Sequence, residues 1–266
     1  MASTQIVQAE GARIEVITHG KAARPTRASL VALACGGGSV LAKLSWPVAE
    51  MQMRGYGESV EVSKGRWNSG APRLSDHVGD IDSVFNHFKL ERPVLLGYSH
   101  GGYFATAYAL ANPARVAGLI LVEPALFNSR DELLLRARLA REAGSEESMK
   151  SMLRHVQPSI GMNEGRAAKT AKVLLKNVRN ADTLANEFLV RAENPISEDD
   201  LAGLKMPVLL VGGTKSHASY TVTKLARILP SASLWWVRDV EHLELLAESV
   251  SQQLSPVIDS FVAGLK

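Results

Sequence analysis

Apolar and polar residues alternate with two different periods along this chain. Residues 5–9 and 12–18 alternate apolar and polar side chains, which predicts two antiparallel strands joined at Gly11. Residues 30–34 are uniformly apolar, as is typical of a parallel strand buried on both faces. Further apolar runs predict strands at 48–53, from Val94 onward, and at 116–122, 206–211 and 233–237.

Helical spacing of apolar residues fills the intervals between these strands. It predicts helices at 74–90, 103–111, 220–228 and 243–265. Between residues 128 and 200 the strand–helix alternation stops, and amphipathic helices are predicted at 131–143, 146–156, 166–177 and 182–192. We therefore expect an α/β core formed by residues 1–127 and 201–266, with a mostly parallel sheet of about eight strands and helices on both faces. The predicted helical cap, residues 128–200, is inserted into this core.

Composition narrows the class of protein. The 266 residues are 46% hydrophobic and 21% charged, with a net charge of +3, which is typical of a globular domain. Basic residues are densest over 130–191, without the interleaved aromatic residues of a nucleic-acid site. The single cysteine, Cys35, excludes an internal disulfide and fits a reducing compartment. The N-terminus lacks a signal-peptide pattern, and no apolar run reaches the roughly 18 residues of a membrane helix.

These features predict a cytoplasmic protein without nucleic-acid or membrane partners, for which a homodimer stays an open option. We expect no metal and no cofactor, since the sequence has neither a C-x-x-C nor an H-E-x-x-H spacing. Three other features are predicted to be structural. The R-G-x-G-x-S string at 54–59 is expected to be a scaffold turn, and His77 and His87 are expected at the surface or at a helix cap.

The strongest chemical signal is Gly97-Tyr98-Ser99-His100-Gly101. It connects a predicted strand to a predicted helix, and glycines on both sides of a serine permit the sharp turn that exposes its hydroxyl. We predict Ser99 as a nucleophile. This strand–turn–helix motif resembles the nucleophile turn of the α/β-hydrolase fold. Glycines follow the strand at 30–34 and leave backbone N–H groups accessible, and the resemblance implies that the N–H of Gly36 or Gly37 forms an oxyanion hole with the N–H of His100. Cys35 is expected to be a small buried filler.

A serine nucleophile needs a base and an orienting carboxylate. His242 follows the last predicted strand and is the expected base. In the α/β-hydrolase fold that the Ser99 motif resembles, the acid usually lies in the turn after the strand at 206–211, but residues 213–218 contain no carboxylate. The remaining candidates for the acid are Glu123, Asp239 and Glu241. Asp239 and Glu241 are too close to His242 in sequence to reach its far ring nitrogen easily. Glu123 ends the strand beside that of the nucleophile, and we predict that it is the acid.

With these motifs, the chain resembles the capped α/β-hydrolase fold superfamily. An acid on the strand before the cap is similar to that of haloalkane dehalogenases, zearalenone-type lactonases and cofactor-free ring-cleaving dioxygenases. Dehalogenases carry an aspartate nucleophile, which Ser99 contradicts. The lactonase resemblance implies a Ser99–His242–Glu123 triad. The dioxygenases share a Ser-His-Gly string, here Ser99 to Gly101, but add a histidine near the oxyanion glycines that this sequence lacks.

The predicted function is therefore that of a serine hydrolase, with a small-molecule carboxylic ester or lactone as its substrate and an acyl-enzyme as its intermediate. Two alternatives stay open. His242 could instead abstract a proton for cofactor-free dioxygenation or C–C bond cleavage, or the protein could be a non-catalytic ligand receptor on the same fold.

Overall fold

The computed structural model describes residues 2–20, 30–33, 38–61, 73–179 and 181–265. The strands are β1 (Ser3–Ala9), β2 (Ala12–His19), β3 (Leu30–Leu33), β4 (Val48–Met51), β5 (Val60–Glu61), β6 (Val94–Tyr98), β7 (Gly118–Val122), β8 (Val208–Gly213) and β9 (Ala232–Val237). The helices are α1 (Gly38–Leu41), α2 (Leu74–His87), α3 (His100–Ala111), α4 (Arg130–Glu142), α5 (Ser145–Val156), α6 (Pro158–Gly161), α7 (Glu164–Leu175), α8 (Ala181–Glu193), α9 (Glu198–Ala202), α10 (Ser219–Ile228) and α11 (Ser251–Gly264).

One mixed sheet organises the chain, in the order β1-β2-β4-β3-β6-β7-β8-β9, and the short β5 pairs with β2. The β1–β2 and β2–β4 pairs are antiparallel, whereas every pair from β4–β3 to β8–β9 is parallel. The predicted mostly parallel sheet of about eight strands is thereby confirmed. Since parallel strands end at the same edge, the residues after β6, β7 and β8 come together there.

Apolar side chains on the two faces of the sheet form two separate clusters. Leu95 of β6 packs with α2, α3 and α10 on one face, while Val94 and Leu96 pack with α1 and α11 on the other. This alternation follows from the two-residue period of a strand. Burial on both faces explains why the central strands are continuous apolar runs.

Helices α4, α5, α7 and α8 share an apolar cluster of their own. Leu133 and Ala137 of α4, Leu153 of α5 and Phe188 of α8 belong to it, and α4 packs closely along α8. The four helices predicted in this region begin and end within two residues of α4, α5, α7 and α8. The short α6 was not predicted. No helix in the described part of the chain is long and apolar enough to span a membrane.

The C-terminal region differs from its prediction. In place of one helix over 243–265, two 3₁₀ turns at His242–Glu244 and Glu248–Val250 precede α11. Leu245 and Val250 are buried in the same cluster as α11, so apolar spacing continues through the break. The periodicity therefore could not reveal it.

His77 also differs from its prediction, because it is buried rather than at the surface. It lies on the apolar face of α2 with Ile81, and its ring packs 4.4 Å from that of Phe104. Burial is the main cause that lowers the pKa of His77 to about 3, so this residue is neutral at physiological pH. His87 is exposed, as expected.

The ion pair between Arg54 and Asp80 lies inside the core. Arg54 Nε and Nη2 donate to the two Asp80 carboxylate oxygens at 2.5 and 2.8 Å, and these side chains are only 3% and 0% exposed. Asp80→Asn should lower the free energy of unfolding by about 3–5 kcal/mol, because it removes the negative charge that Asp80 supplies to a buried guanidinium. Denaturant unfolding measures this. Glu142→Gln, in the exposed pair with Arg138, is the control and should cost under about 1 kcal/mol. Equal losses would contradict a structural role for the buried pair.

Candidate active site

Ser99 lies in a sharp turn between β6 and α3. Its φ of 52° and ψ of −123° are in a region that residues other than glycine rarely adopt. A Cβ at position 101 would lie 2.0 Å from the carbonyl oxygen of Leu33, and a Cβ at position 97 would lie 2.5 Å from the Cα of Gly102. The turn therefore requires both glycines of the motif, and it presents the Ser99 hydroxyl at the carboxyl edge of the sheet.

The His242 ring lies between Ser99 and Glu123. Its Nε2 is 3.1 Å from Ser99 Oγ, and its Nδ1 is 2.7 Å from Glu123 Oε2. The ring stacks on that of Tyr98 at 5.1 Å, and the Tyr98 hydroxyl donates to the carbonyl oxygen of His242 at 2.8 Å. These contacts fix both the backbone and the ring plane of His242. The sequence motif contains Tyr98, but nothing in it indicated this supporting role.

The Glu123 carboxylate is buried and bound from several sides. Its Oε1 accepts a hydrogen bond from the N–H of Gly213 at 2.9 Å, and its Oε2 accepts one from the Ser216 hydroxyl at 2.6 Å. The turn that lacks a carboxylate of its own therefore supplies donors to Glu123. The backbone of Glu123 also has a positive φ, 40°, which is uncommon for a residue with a side chain.

The other two candidate acids point elsewhere. Asp239 is exposed and pairs with Lys215 at 3.3 Å, while Glu241 accepts a hydrogen bond from the Ser159 hydroxyl. Among the described residues, only Glu123 brings a carboxylate to His242.

A cavity of about 400 Å³ opens above Ser99 and His242, between the sheet edge and helices α4, α5, α7 and α8. Much of its wall is apolar, formed by Leu133, Met149, Met152, Leu174, Leu184 and Phe188. This volume and composition are typical of a small-molecule site.

A polar cluster interrupts this apolar wall. The Tyr56 hydroxyl donates to Glu187 Oε2 at 2.9 Å, and His100 Nε2 lies 3.4 Å from Glu187 Oε1. Burial raises the pKa of Glu187 to about 8 and lowers that of His100 to about 3. At pH 7 the contact between Glu187 and His100 therefore joins two mostly neutral groups and is no ion pair. Arg191, one turn beyond Glu187 on α8, lines the same cavity.

Sequence reasoning did not identify Tyr56, Glu187 or Arg191. Tyr56 belongs to the R-G-x-G-x-S string, which therefore contributes to the cavity as well as to the scaffold. Glu187 and Arg191 are four residues apart and therefore share one face of α8. This spacing was the one feature of the sequence that could have indicated a joint role for the two residues. The predicted oxyanion residues Gly36 and Gly37, and the predicted filler Cys35, lie outside the described residues, whereas His100 begins α3. Within the described ranges no group of His, Cys, Asp or Glu side chains could hold a metal ion.

One family model matches most of the chain. The family model described as Hydrolase_4, serine aminopeptidase S33, matches residues 16–217. The chain belongs to this family. The matched residues include Ser99 and Glu123 and end before His242.

Solved structures share the α/β-hydrolase fold of this family member. An esterase from Thermogutta terrifontis superposes with a TM-score of 0.76 at 22% identity and covers 99% of both chains. The enol-lactonase from Burkholderia xenovorans LB400 gives a TM-score of 0.78 at 18% identity, over 97% of this chain and 100% of the other. At these identities the likeness shows the fold alone.

Curated relatives match over different lengths. A 1-acylglycerol-3-phosphate O-acyltransferase of Rattus norvegicus is 38% identical over 88 residues, which are 33% of this chain and only 24% of the relative. The chain thus spans about a quarter of the length of this relative. A putative 2-succinyl-6-hydroxy-2,4-cyclohexadiene-1-carboxylate synthase of Bacillus subtilis (strain 168) is 23% identical over 91% of this chain and 92% of its own. The resemblance to zearalenone-type lactonases stays a prediction.

Proposed function

We propose that this α/β-hydrolase cleaves a carboxylic ester or lactone through an acyl-enzyme. The observation that carries the proposal is the His242 ring, with Nε2 3.1 Å from Ser99 Oγ and Nδ1 2.7 Å from Glu123 Oε2. A histidine held in this way accepts the serine proton at Nε2 while the carboxylate stabilises the imidazolium at Nδ1. Two structural neighbours are named as an esterase and an enol-lactonase, and cleavage of an ester or lactone by this chain is compatible with those names.

The reaction follows from these contacts in two steps. Ser99 Oγ attacks the carbonyl carbon, its proton passes to His242, and the carbon–oxygen bond to the alcohol breaks as that alcohol takes the proton. Water then attacks the acyl-enzyme with His242 again as base, which releases the acid and regenerates Ser99. The N–H of His100, at the positive end of α3, is the proposed donor to the oxyanion, together with Gly36 or Gly37.

The helical region over residues 128–200 is the proposed cap, and residues 1–127 and 201–266 are the proposed core. Helices α4, α5, α7 and α8 support this division because they share a separate apolar cluster and line the cavity opposite Ser99. A cap of this kind excludes water and shapes the site for a small substrate.

The cap proposal predicts a change in substrate binding for Phe188→Ala. Phe188 is 8% exposed and lines the cavity, so its loss removes apolar contact worth about 1.5–3 kcal/mol. We expect KM for an apolar ester to rise about tenfold or more, while the single-turnover acylation rate at saturation changes less than about threefold. Leu135→Ala, on the exposed side of α4, is the control. A slowed chemical step with an unchanged KM would contradict the cap's role.

Turnover of an activated ester under air and under nitrogen separates the rival functions. The proposal predicts fast release of alcohol and acid at equal rates in both atmospheres. Oxygen uptake would instead identify a dioxygenase in which His242 abstracts a proton, and cleavage of a carbon–carbon bond alone would identify a C–C hydrolase. Binding without turnover would identify a receptor.

A further inference from the structure

Arg191 is a buried cation in the wall of the proposed active-site cavity. The residue is only 6% exposed, and it lines the same cavity as Ser99 and His242. Its Nη2 donates to the carbonyl oxygen of Ala125 at 2.9 Å and also to Asn128 Oδ1. These two bonds hold the guanidinium in a fixed orientation next to the segment that follows Glu123.

One nitrogen of the Arg191 guanidinium, Nε, has no hydrogen-bond partner in the described part of the chain. This nitrogen is buried, and no carboxylate of the described residues forms an ion pair with Arg191. Its neighbours are the faces of Tyr103 and Phe188, with ring centroids 5.8 and 6.0 Å from Cζ. Burial lowers the pKa of Arg191 to about 10, so the side chain stays charged at neutral pH.

Other arginines with little exposure have a carboxylate. Arg54 is paired with Asp80, and Arg136, which lines the same cavity, contacts Glu132 Oε1 at 2.8 Å through Nη2. Glu187, one turn earlier on α8, lines the cavity with Arg191, but burial raises its pKa to about 8 against the lowering effect of Arg191 and leaves it mostly protonated at pH 7. It therefore supplies little negative charge to Arg191.

A buried charge without a partner is costly, since desolvation is not repaid by an opposite charge. Such a group is stabilised when a ligand brings the missing anion, and a guanidinium is well suited to a carboxylate. A singly charged carboxylate matches one unpaired guanidinium.

We propose that Arg191 binds a carboxylate that the substrate carries apart from its scissile bond, so that the preferred substrates are carboxylate-bearing esters or lactones. This inference deepens the proposed function and rests on it for the identity of the scissile bond. Arg191 then acts as a specificity residue, oriented in advance by Ala125 and Asn128.

Two esters of equal length test the proposal. The glutarate mono-4-nitrophenyl ester and 4-nitrophenyl pentanoate differ in a terminal carboxylate in place of a methyl group. We expect the ratio of their kcat/KM values, glutarate over pentanoate, to fall about 10- to 100-fold in Arg191→Met, because a charge-assisted hydrogen bond is lost. Arg136→Met is the matched control, since Arg136 already has Glu132 as its partner. It should keep the ratio within about threefold.

The outcomes distinguish this inference from the proposed function. Equal loss on both esters in Arg191→Met, or an equal fall of the ratio in Arg136→Met, would overturn the assignment to Arg191. Arg191→Lys keeps the charge and is the second variant to be measured if Arg191→Met does not fold. It should retain part of the preference for the glutarate ester. An unchanged ratio in Arg191→Lys and in Arg191→Met would also overturn it.

Calorimetric binding of free glutarate requires no turnover. If neither ester is cleaved but wild type binds glutarate and Arg191→Met does not, the carboxylate site stands and the hydrolase proposal fails. If both esters are cleaved without any preference that depends on Arg191, the hydrolase proposal stands and the carboxylate site fails. Tighter binding of inorganic phosphate than of glutarate at the same residue would overturn the choice of a carboxylate.

Discussion

Ser99→Ala should lower kcat on an ester substrate by at least about ten-thousandfold, the largest effect expected of any single change in this protein. The hydroxyl is the atom that would bond to the acyl group, and its Oγ lies 3.1 Å from His242 Nε2. Alanine keeps the Cβ and so meets the same backbone constraint at φ 52°. Circular dichroism and thermal unfolding should therefore match wild type, while steady-state kinetics reports the loss.

Ser148→Ala is the matched control for this variant. Ser148 lines the same cavity and is buried, but its hydroxyl donates weakly, at 3.4 Å, to the carbonyl oxygen of Arg136 and not to His242. Its kcat should stay within about threefold of wild type. A Ser99→Ala enzyme with a rate near wild type would remove Ser99 as nucleophile.

Glu123→Gln should lower kcat by about ten-thousandfold on the same ester, as loss of an orienting carboxylate does elsewhere. The amide keeps the size of the side chain but carries no charge to stabilise the imidazolium. Its NH₂ group would also donate to His242 Nδ1, which places the ring proton on Nε2 and prevents Nε2 from accepting the proton of Ser99. Steady-state kinetics of the folded variant measures the loss.

Asp239→Asn and Glu241→Gln are the controls for Glu123, because neither carboxylate contacts His242 in the described chain. Each should lose at most about tenfold in kcat. A large loss of kcat in Asp239→Asn, together with a kcat near wild type in Glu123→Gln, would show that the acid has been misassigned. The resemblance to zearalenone-type lactonases would then lose its basis.

The part of the candidate site that could be predicted from the sequence depends on patterns of neighbouring residues. The strand, the two glycines and the helix around Ser99 are contiguous, so the turn follows from neighbouring residues. His242 and Glu123 could be selected because the ends of parallel strands share one edge of the sheet. The absence of a carboxylate between Gly213 and Ala218 was visible, but its use as a donor turn for Glu123 was not.

Distant contacts explain what the sequence did not reveal. Tyr56 and Glu187 are 131 positions apart and meet only because α8 lies over the sheet edge. His77 and the C-terminal turns were missed for a related reason. A buried histidine and an exposed one look alike in sequence, and apolar spacing does not distinguish a broken helix from a continuous one.

Covalent labelling tests the central claim, an activated nucleophile at Ser99, most directly. A fluorophosphonate loses fluoride when a serine oxygen attacks its phosphorus, so intact-protein and peptide mass spectrometry locate the bond. We expect one label per chain, on the peptide that contains Ser99, and much slower labelling in Glu123→Gln because His242 is no longer held as a base. A wild-type enzyme that cleaves ester but carries no label at Ser99, or carries it on another residue, would contradict the proposed mechanism.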